Sequence, residues 1–231
     1  MNEPTQDNFR YWNEEMVRKY NPEIFHGNSS FFVRYVAKKK TMIIHRMLDS
    51  QESDNLLDMG CGSGNNLEEI TAGKIIGVDI SSLMVKSAAD KFRDRKNVRI
   101  VNASVERLPF PENKFNKIIC SEVLEHALSP ELAIQEAARV SSDSAIAIIS
   151  FPNDKLVDVL KTVVFRLKLN RLFLSGYSMP GHMSHPWHLR KFTLSVINRH
   201  LSKDFDVLET HVVPCRILPL FYVLKCRRKS R

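Results

Sequence analysis

Two short stretches of this 231-residue chain bring together residue types suited to chemistry. The first is LLDMGCGSGNN, in which Gly60, Gly62 and Gly64 are spaced G-x-G-x-G and follow Asp58. Glycine lets a backbone turn tightly and lets a ligand approach the main chain closely. A dinucleotide-binding turn asks for G-x-G-x-x-G, with its third glycine at position 65. Asn65 stands there, which disfavours NAD or FAD. Asp79 ends the apolar run IIGVD, and a carboxylate in that place can accept hydrogen bonds from both hydroxyls of a ribose. It could instead favour a helix N-terminus, a role that Ser81 or Ser82 could also fill.

The second stretch is SEVLEH, residues 121–126. On a helical turn Glu122, Glu125 and His126 would lie at i, i+3 and i+4, all on one side. Three roles are open to them. The acids can simply favour a helix N-terminus. His126 can act as a general base or polarise an acceptor. Glu122, Glu125 and His126 can hold a divalent metal, with a further ligand from His182, His185 or His188. These last three lie in GHMSHPWHLRKFT, a loop-like stretch whose histidine density suits an acceptor-pocket lid, or a core Trp187 with solvated histidines.

These residues need elements to position them. Apolar runs at 55–59, 74–79, 98–102, 116–121 and 144–151 read as strands, and 64–71, 81–93 and 130–140 read as helices between them. Ser129 is the expected N-cap of the last, with Pro130 in its first turn. The alternation implies βαβ units and a parallel sheet, whose ligands bind beyond the carboxyl ends of the strands. The chemical residues follow strands directly, as that rule requires. Residues 9–49 read mainly helical, with Phe31, Phe32, Tyr35, Val36, Met42, Ile43, Met47 and Leu48 as an apolar stripe and Lys38–Lys40 as a solvated face. Residues 155–168 form an amphipathic helix with Leu156, Val159, Leu160, Val163, Val164 and Leu167 on one side. Residues 170–189 read as loop, 192–202 as helix, and 205–212 and 219–226 as closing strands. One domain is expected: a helical cover over 1–54, a core over 55–153, a lid and acceptor segment over 154–203, and C-terminal strands with a basic tail over 204–231.

The formal charge is +8, unevenly distributed. Residues 1–55 are balanced, 56–150 carry −2, 151–224 carry +5 and 225–231 another +5. The core is therefore not basic, and the excess implies a disordered basic end or a surface at the acceptor entrance that favours anionic partners. Cys61, Cys120, Cys215 and Cys226 lack CxxC spacing, which argues against a zinc knuckle and a disulfide scaffold. The N-terminus has no apolar signal segment, and no apolar run reaches the length of a spanning helix, so a cytoplasmic protein is expected.

LLDMGCGSG, GVDIS, NASVERLPFPENKFNKIICSEVLEH and AIAIISFPN, in that order and spacing, resemble the class I S-adenosylmethionine-dependent methyltransferases, and within them the type-11-like group. The resemblance covers about residues 55–153. It implies an α/β fold, a Rossmann-like, doubly wound seven-stranded sheet with its last strand antiparallel. N-terminal helices and a helical or loop lid after strand 5 complete it. It implies S-adenosyl-L-methionine as cofactor and S-adenosyl-L-homocysteine as product. Asp58 and the Gly60 backbone would hold the methionine amino end, and Cys61, Gly62 and Gly64 would shape the turn. Asp79 would take the ribose hydroxyls and Ile80 would pack on the adenine. Ser104 stands where the family commonly has an adenine-binding Asp, leaving the Val105 N–H to serve the ring. Ser121 completes the candidate cofactor contacts. Asn116 and SSDSA also depart from the family pattern, away from those contacts. Tyr11, Trp12 and Tyr20 could cover the cofactor or pack in the core.

His126, Glu125 and His188 are the candidate catalytic residues, and Glu122, Glu125, His126 and His188 the candidate metal ligands. E-x-x-E-H resembles the metal element of small-RNA 2′-O-methyltransferases and ubiquinone-pathway O-methyltransferases, but also occurs in type-11-like enzymes without a known metal. The expected acceptor is a small molecule, amphiphilic or anionic, methylated at oxygen or carbon: lipid-, quinone-, polyketide- or sugar-like. The apolar and basic segment after residue 154 also suits peripheral membrane contact. An RNA 2′-hydroxyl acceptor is a second expectation, weakened because no RNA-binding module or basic–aromatic interleaving accompanies the charge. A non-catalytic cofactor-binding partner protein is a third.

Overall fold

In the computed structural model, which describes residues 4–20, 31–166 and 187–230, the apolar runs become seven strands. They are β1 (Asn55–Met59), β2 (Lys74–Asp79), β3 (Val98–Asn102), β4 (Phe115–Ser121), β5 (Ser141–Pro152), β6 (Phe205–Cys215) and β7 (Leu218–Arg228). Their order is β3-β2-β1-β4-β5-β7-β6. β1 to β5 pair in parallel, whereas β7 runs antiparallel to both β5 and β6. The chain works outward from β1 to β3 and then returns to the other side of β1. The carboxyl ends of β1 and β4 therefore flank the switch point where such sheets bind ligands.

Successive strand residues point to opposite faces, and both faces are covered. Leu57, Ile118, Ala147 and Ile149 meet α4 (Pro130–Val140) and α6 (Leu194–Leu201). Leu56, Ile119 and Ile148 meet α2 (Phe31–Leu48) on the other face. α1 is Phe9–Tyr20, α3 is Ser82–Lys91 and α5 is Asp154–Arg166. Ser81 and Ser129 cap α3 and α4, their hydroxyls accepting from Met84 N–H and Leu132 N–H.

The expected helix over 64–71 is absent. A single 3-10 turn, Asn65–Leu67, stands in its place. The physical reason lies downstream: the Arg95 guanidinium donates to the carbonyls of Leu67, Glu68 and Ile70, and the Asn97 amide to that of Ala72. Carbonyls taken from outside need no helical N–H partner. Arg95→Ala is expected to cost about 2–3 kcal/mol and lower Tm by about 4–12 °C, since bonds to a charged donor exceed neutral ones. A thermal melt shifted by less than 2 °C would show that the segment does not depend on the guanidinium.

Other differences follow from helix geometry. The buried face of α2 is Val36, Lys40, Ile43, Ile44, Met47 and Leu48, while Phe31, Phe32, Tyr35 and Met42 are exposed. Lys40 falls inside the apolar stripe by helical period, so it is buried rather than solvated. On α5, Leu156 and Leu160 pack on the core with Val157, but Val159 and Val163 are exposed. The basic tail is not a loose end at the entrance. Lys225, Arg227 and Arg228 belong to β7, whose last residues pair with Ile146–Ile148 in the middle of β5 and with the start of β6, away from the switch point. Arg228 is buried and donates to the Ala138 carbonyl. Antiparallel entry of β7 thus carries this charge to the far end. Leu167 and the loop from 170 to Pro186, with His182 and His185, lie outside the described residues. No helix among the described residues is long and apolar enough to cross a membrane.

Candidate functional site

The turn after β1 is built on three left-handed glycines, Gly60 (φ +69°), Gly62 (+53°) and Gly64 (+83°). A Cβ at Gly60 would stand 2.4 Å from Val123 Cγ2, in the turn after β4, and one at Gly64 would stand 2.3 Å from Phe92 Cε2. Gly62 has open space beside it. The turn is therefore pressed against its neighbours at both ends and exposed in the middle. Asp79, at the carboxyl end of β2, spans it: one carboxylate oxygen accepts from Gly62 N–H at 2.8 Å and the other from Ser81 N–H at 2.9 Å. A carboxylate has about four acceptor positions, so two remain. Burial pushes the Asp79 carboxyl upward, and the Ser81 and Gly62 N–H groups pull it back.

Asp58 is fully buried in β1, and neither carboxylate oxygen has a hydrogen-bond partner among the described residues. Burial, and then the charge of Asp79, hold its carboxyl well above the usual range. A buried anion without a partner is costly, and a ligand ammonium is the kind of group that would neutralise it. Cys61 is buried, takes a bond through its N–H to the Val78 carbonyl and lies under Gly77, whose added Cβ would stand 2.9 Å from Sγ. Burial also raises its thiol, so it shapes the turn rather than reacting.

Three further candidates line the β2–β3 side. Ile80 packs against Phe9, Trp12, Met16 and Tyr20 of α1. Ser104 follows β3 and its hydroxyl accepts from Glu106 N–H; Val105 is half-buried against the core. α1 is tied over this edge by Glu14, which accepts from the N–H groups of Ser82 and Leu83, and by Arg10, which donates to Asn102. Trp12 and Tyr20 are buried in this cover, whereas Tyr11 is exposed.

The side after β4 departs from the helical turn expected for SEVLEH. Ser121 Oγ pairs with Ser150 Oγ at 2.8 Å. Glu122 takes a left-handed φ of +57°, and the following 3-10 turn spans Leu124–His126. That kink breaks the periodicity which would have placed Glu122 beside Glu125. Glu122 instead pairs with buried Lys40 of α2. The residues brought together are Glu125, His126 and His188, with one ligand atom from each lying within 4.8 Å of the others. His126 Nδ1 donates to the Trp187 carbonyl at 3.0 Å and His188 Nδ1 to Asp154 Oδ1 at 2.8 Å. A neutral imidazole that donates from Nδ1 carries its lone pair on Nε2. Glu125 is 1% exposed, and its carboxylate oxygens have no hydrogen-bond partner among the described residues. Burial, then the charge of Glu122, push its carboxyl well above the usual range.

Two residues of this side escape the sequence reading. Asp154 orients His188; its place directly after β5 marks it by the same strand-end rule that marks Asp79. Lys40 anchors Glu122, and its place within the Val36–Ile43–Met47 stripe is the signal for it.

The family model described as a methyltransferase domain matches residues 57–149. The methyltransferase YcgJ of Bacillus subtilis is 29% identical over 120 residues, 49% of this chain and 47% of its own. The ubiquinone/menaquinone biosynthesis C-methyltransferase UbiE of Stutzerimonas stutzeri is 30% identical over 99 residues, 39% of each chain. The chain thus spans less than half the length of these curated relatives. Among solved structures, the [4+2]-cyclase SpnF superposes with a TM-score of 0.64 at 18% identity, covering 84% of this chain and 82% of that one. That likeness concerns the fold, which by itself carries more than one chemistry. The family match, the relatives and a seven-stranded sheet with one antiparallel strand agree on a class I methyltransferase domain of the type-11 kind over residues 57–149.

Proposed function

We propose that the chain is an S-adenosyl-L-methionine-dependent methyltransferase acting on a small amphiphilic acceptor at oxygen or carbon. The observation that carries this is the juxtaposition of two turns at the carboxyl ends of β1 and β4. The glycine turn with Asp58 and Asp79 abuts the turn after β4, which bears the Glu125–His126–His188 cluster, at Gly60 and Val123. Donor-side and acceptor-side groups therefore flank the same opening.

The residues fit the cofactor. Asp58 offers an unpartnered carboxylate for the methionine ammonium, and the Gly62 backbone has room for close approach. Asp79 keeps two acceptor positions for the ribose hydroxyls, and Ile80 with the Val105 N–H would border the adenine. When bound, the cofactor supplies a methyl group on a sulfonium, already activated for displacement. The protein's part is then to hold donor and acceptor in line and, for a hydroxyl acceptor, to favour loss of its proton. The acceptor-side cluster is placed for the second task.

An amphiphilic acceptor suits the exposed apolar side chains on α2 (Phe31, Phe32, Tyr35), whose Lys40 pairs with Glu122, and on α5 (Val159, Val163), whose first residue Asp154 bonds His188. UbiE, named for quinone biosynthesis, supports the same class. Lys225, Arg227 and Arg228, in the last residues of β7, lie away from the crevice, which weakens the charge argument for RNA. The test is incubation with labelled S-adenosylmethionine and extracts separated into lipid, small-molecule and RNA pools. Label in the lipid or small-molecule pool is expected. Label confined to RNA would replace the acceptor class, and cofactor binding without label in any pool would favour a non-catalytic partner.

A further inference from the structure

We propose that Glu125, His126 and His188 form a binding site for a first-row divalent metal ion on the acceptor side of the crevice. The donors come from two distant parts of the chain, the turn after β4 and the segment at residues 187–190. Their ligand atoms converge within 4.8 Å of one another. Around a tetrahedral ion with bonds of about 2.0–2.1 Å, ligand atoms stand roughly 3.4 Å apart, so a contraction of at most about 1.4 Å completes the set.

Three features of the surroundings point to an ion. Glu125 is buried and its carboxylate oxygens lack a hydrogen-bond partner among the described residues. Buried anions in folded proteins are paired or bind a cation. Both histidines donate from Nδ1 to an oxygen, His126 to a backbone carbonyl and His188 to a carboxylate, which sets each ring to coordinate through Nε2. That outer arrangement is the one by which metal-ligating histidines are oriented. Finally, the Glu125 carbonyl accepts from the N–H groups of Leu189 and Arg190, so the two ligand-bearing segments are pinned together before any ion arrives.

Two imidazoles and one carboxylate favour zinc, cobalt, nickel, iron or manganese over magnesium or calcium, which prefer oxygen donors. Of the four candidate ligands, Glu122 is committed to Lys40, which leaves Glu125, His126 and His188. With three protein ligands, at least one coordination position is left for an acceptor oxygen.

This deepens the proposed function on its acceptor side, and its test needs no methyl transfer. Untagged full-length protein is titrated with Co²⁺, read by visible absorption and by equilibrium dialysis, and back-titrated with Zn²⁺. One Co²⁺ per chain, displaced by Zn²⁺, is expected. Glu125→Gln and His188→Asn should each weaken binding at least 100-fold. Asp154→Asn, which removes the partner of His188 Nδ1, should weaken it by about 10–100-fold. Glu122→Gln should change it less than about threefold. S-adenosylhomocysteine affinity, measured on each variant, should stay within threefold and shows that the fold is intact. Absence of stoichiometric Co²⁺ binding overturns the site, as does binding that survives both Glu125→Gln and His188→Asn. Loss on Glu122→Gln equal to that on His188→Asn overturns this ligand set. Failure to bind S-adenosylhomocysteine while Co²⁺ still binds would strike the proposed function and leave the metal site standing.

Discussion

Asp79→Ala is expected to weaken S-adenosylhomocysteine binding by about 100-fold or more. The carboxylate holds Gly62 N–H and Ser81 N–H on its two oxygens and keeps two acceptor positions for ribose hydroxyls. Hydrogen bonds to an ionised group contribute about 1.5–3 kcal/mol each, and 1.4 kcal/mol is tenfold in affinity. Two such bonds give the predicted loss before any relaxation of the glycine turn is added. The side chain also stabilises that turn, so the variant should melt a few degrees lower. Asp79→Asn separates the two effects. Its single carbonyl oxygen can serve one N–H, while its NH₂ must face the other, so an intermediate loss is expected. Calorimetric titration checks the order Asp, Asn, Ala. An alanine variant that binds within threefold of the parent would remove Asp79 from the cofactor site.

Asp58→Asn is expected to move stability and binding in opposite directions. In the ligand-free protein the Asp58 carboxyl is buried, lacks a partner among the described residues and is held well above its ordinary value. A raised carboxyl means that the folded state binds the proton more tightly than the unfolded state. Below the ordinary value of about 3.9 both states are protonated and Asp58 has no effect on folding. As pH rises from there toward the folded-state value, the unfolded state ionises first, and the native protein loses up to about 1.4 kcal/mol per unit. The loss levels off above the folded-state value. Asparagine cannot ionise, so the variant should melt several degrees higher than the parent at pH 7. The gap should narrow at pH 5 and close near pH 4. The same substitution removes the partner of the cofactor ammonium and should weaken S-adenosylmethionine binding by about 10–100-fold. Melting curves of ligand-free protein at the three pH values, paired with cofactor titrations, test both halves. Equal melting temperatures at pH 7 would show that the carboxylate is solvated or paired in solution. Unchanged affinity would place the ammonium elsewhere.

The buried unpartnered acids also explain why α1 matters. Its apolar face joins Ile80 on the cofactor side to Leu128, Trp187 and Leu189 on the acceptor side. One helix thus spans both halves of the crevice, and its Glu14 holds the start of α3. Such coverage excludes water, which strengthens every electrostatic interaction beneath it.

Much of the fold was legible before any coordinates. The bounds of β1, β2 and β3 match the expected runs residue for residue, because each is a short stretch rich in Val, Ile, Leu or Met between turn residues. The caps at Ser81 and Ser129 are equally local, each a hydroxyl placed beside the N–H groups that need it. The glycine turn could be read for the same reason, since its three left-handed positions tolerate little else. What local pattern could not show was set by partners far along the chain. The helix expected over 64–71 is a 3-10 turn because Arg95, 25 to 28 residues away, takes its carbonyls. Glu122 leaves the side of Glu125 because a left-handed kink aims it at Lys40, 82 residues earlier. His188 joins Glu125 and His126 because backbone bonds from Leu189 and Arg190 hold its segment against the turn after β4. The basic last residues of β7 lie away from the crevice because β7 runs antiparallel to β5. Periodicity and capping are short-range and survive in the sequence. The identity of a side chain's partner depends on which distant segments the sheet order brings together, and that is a property of the folded chain.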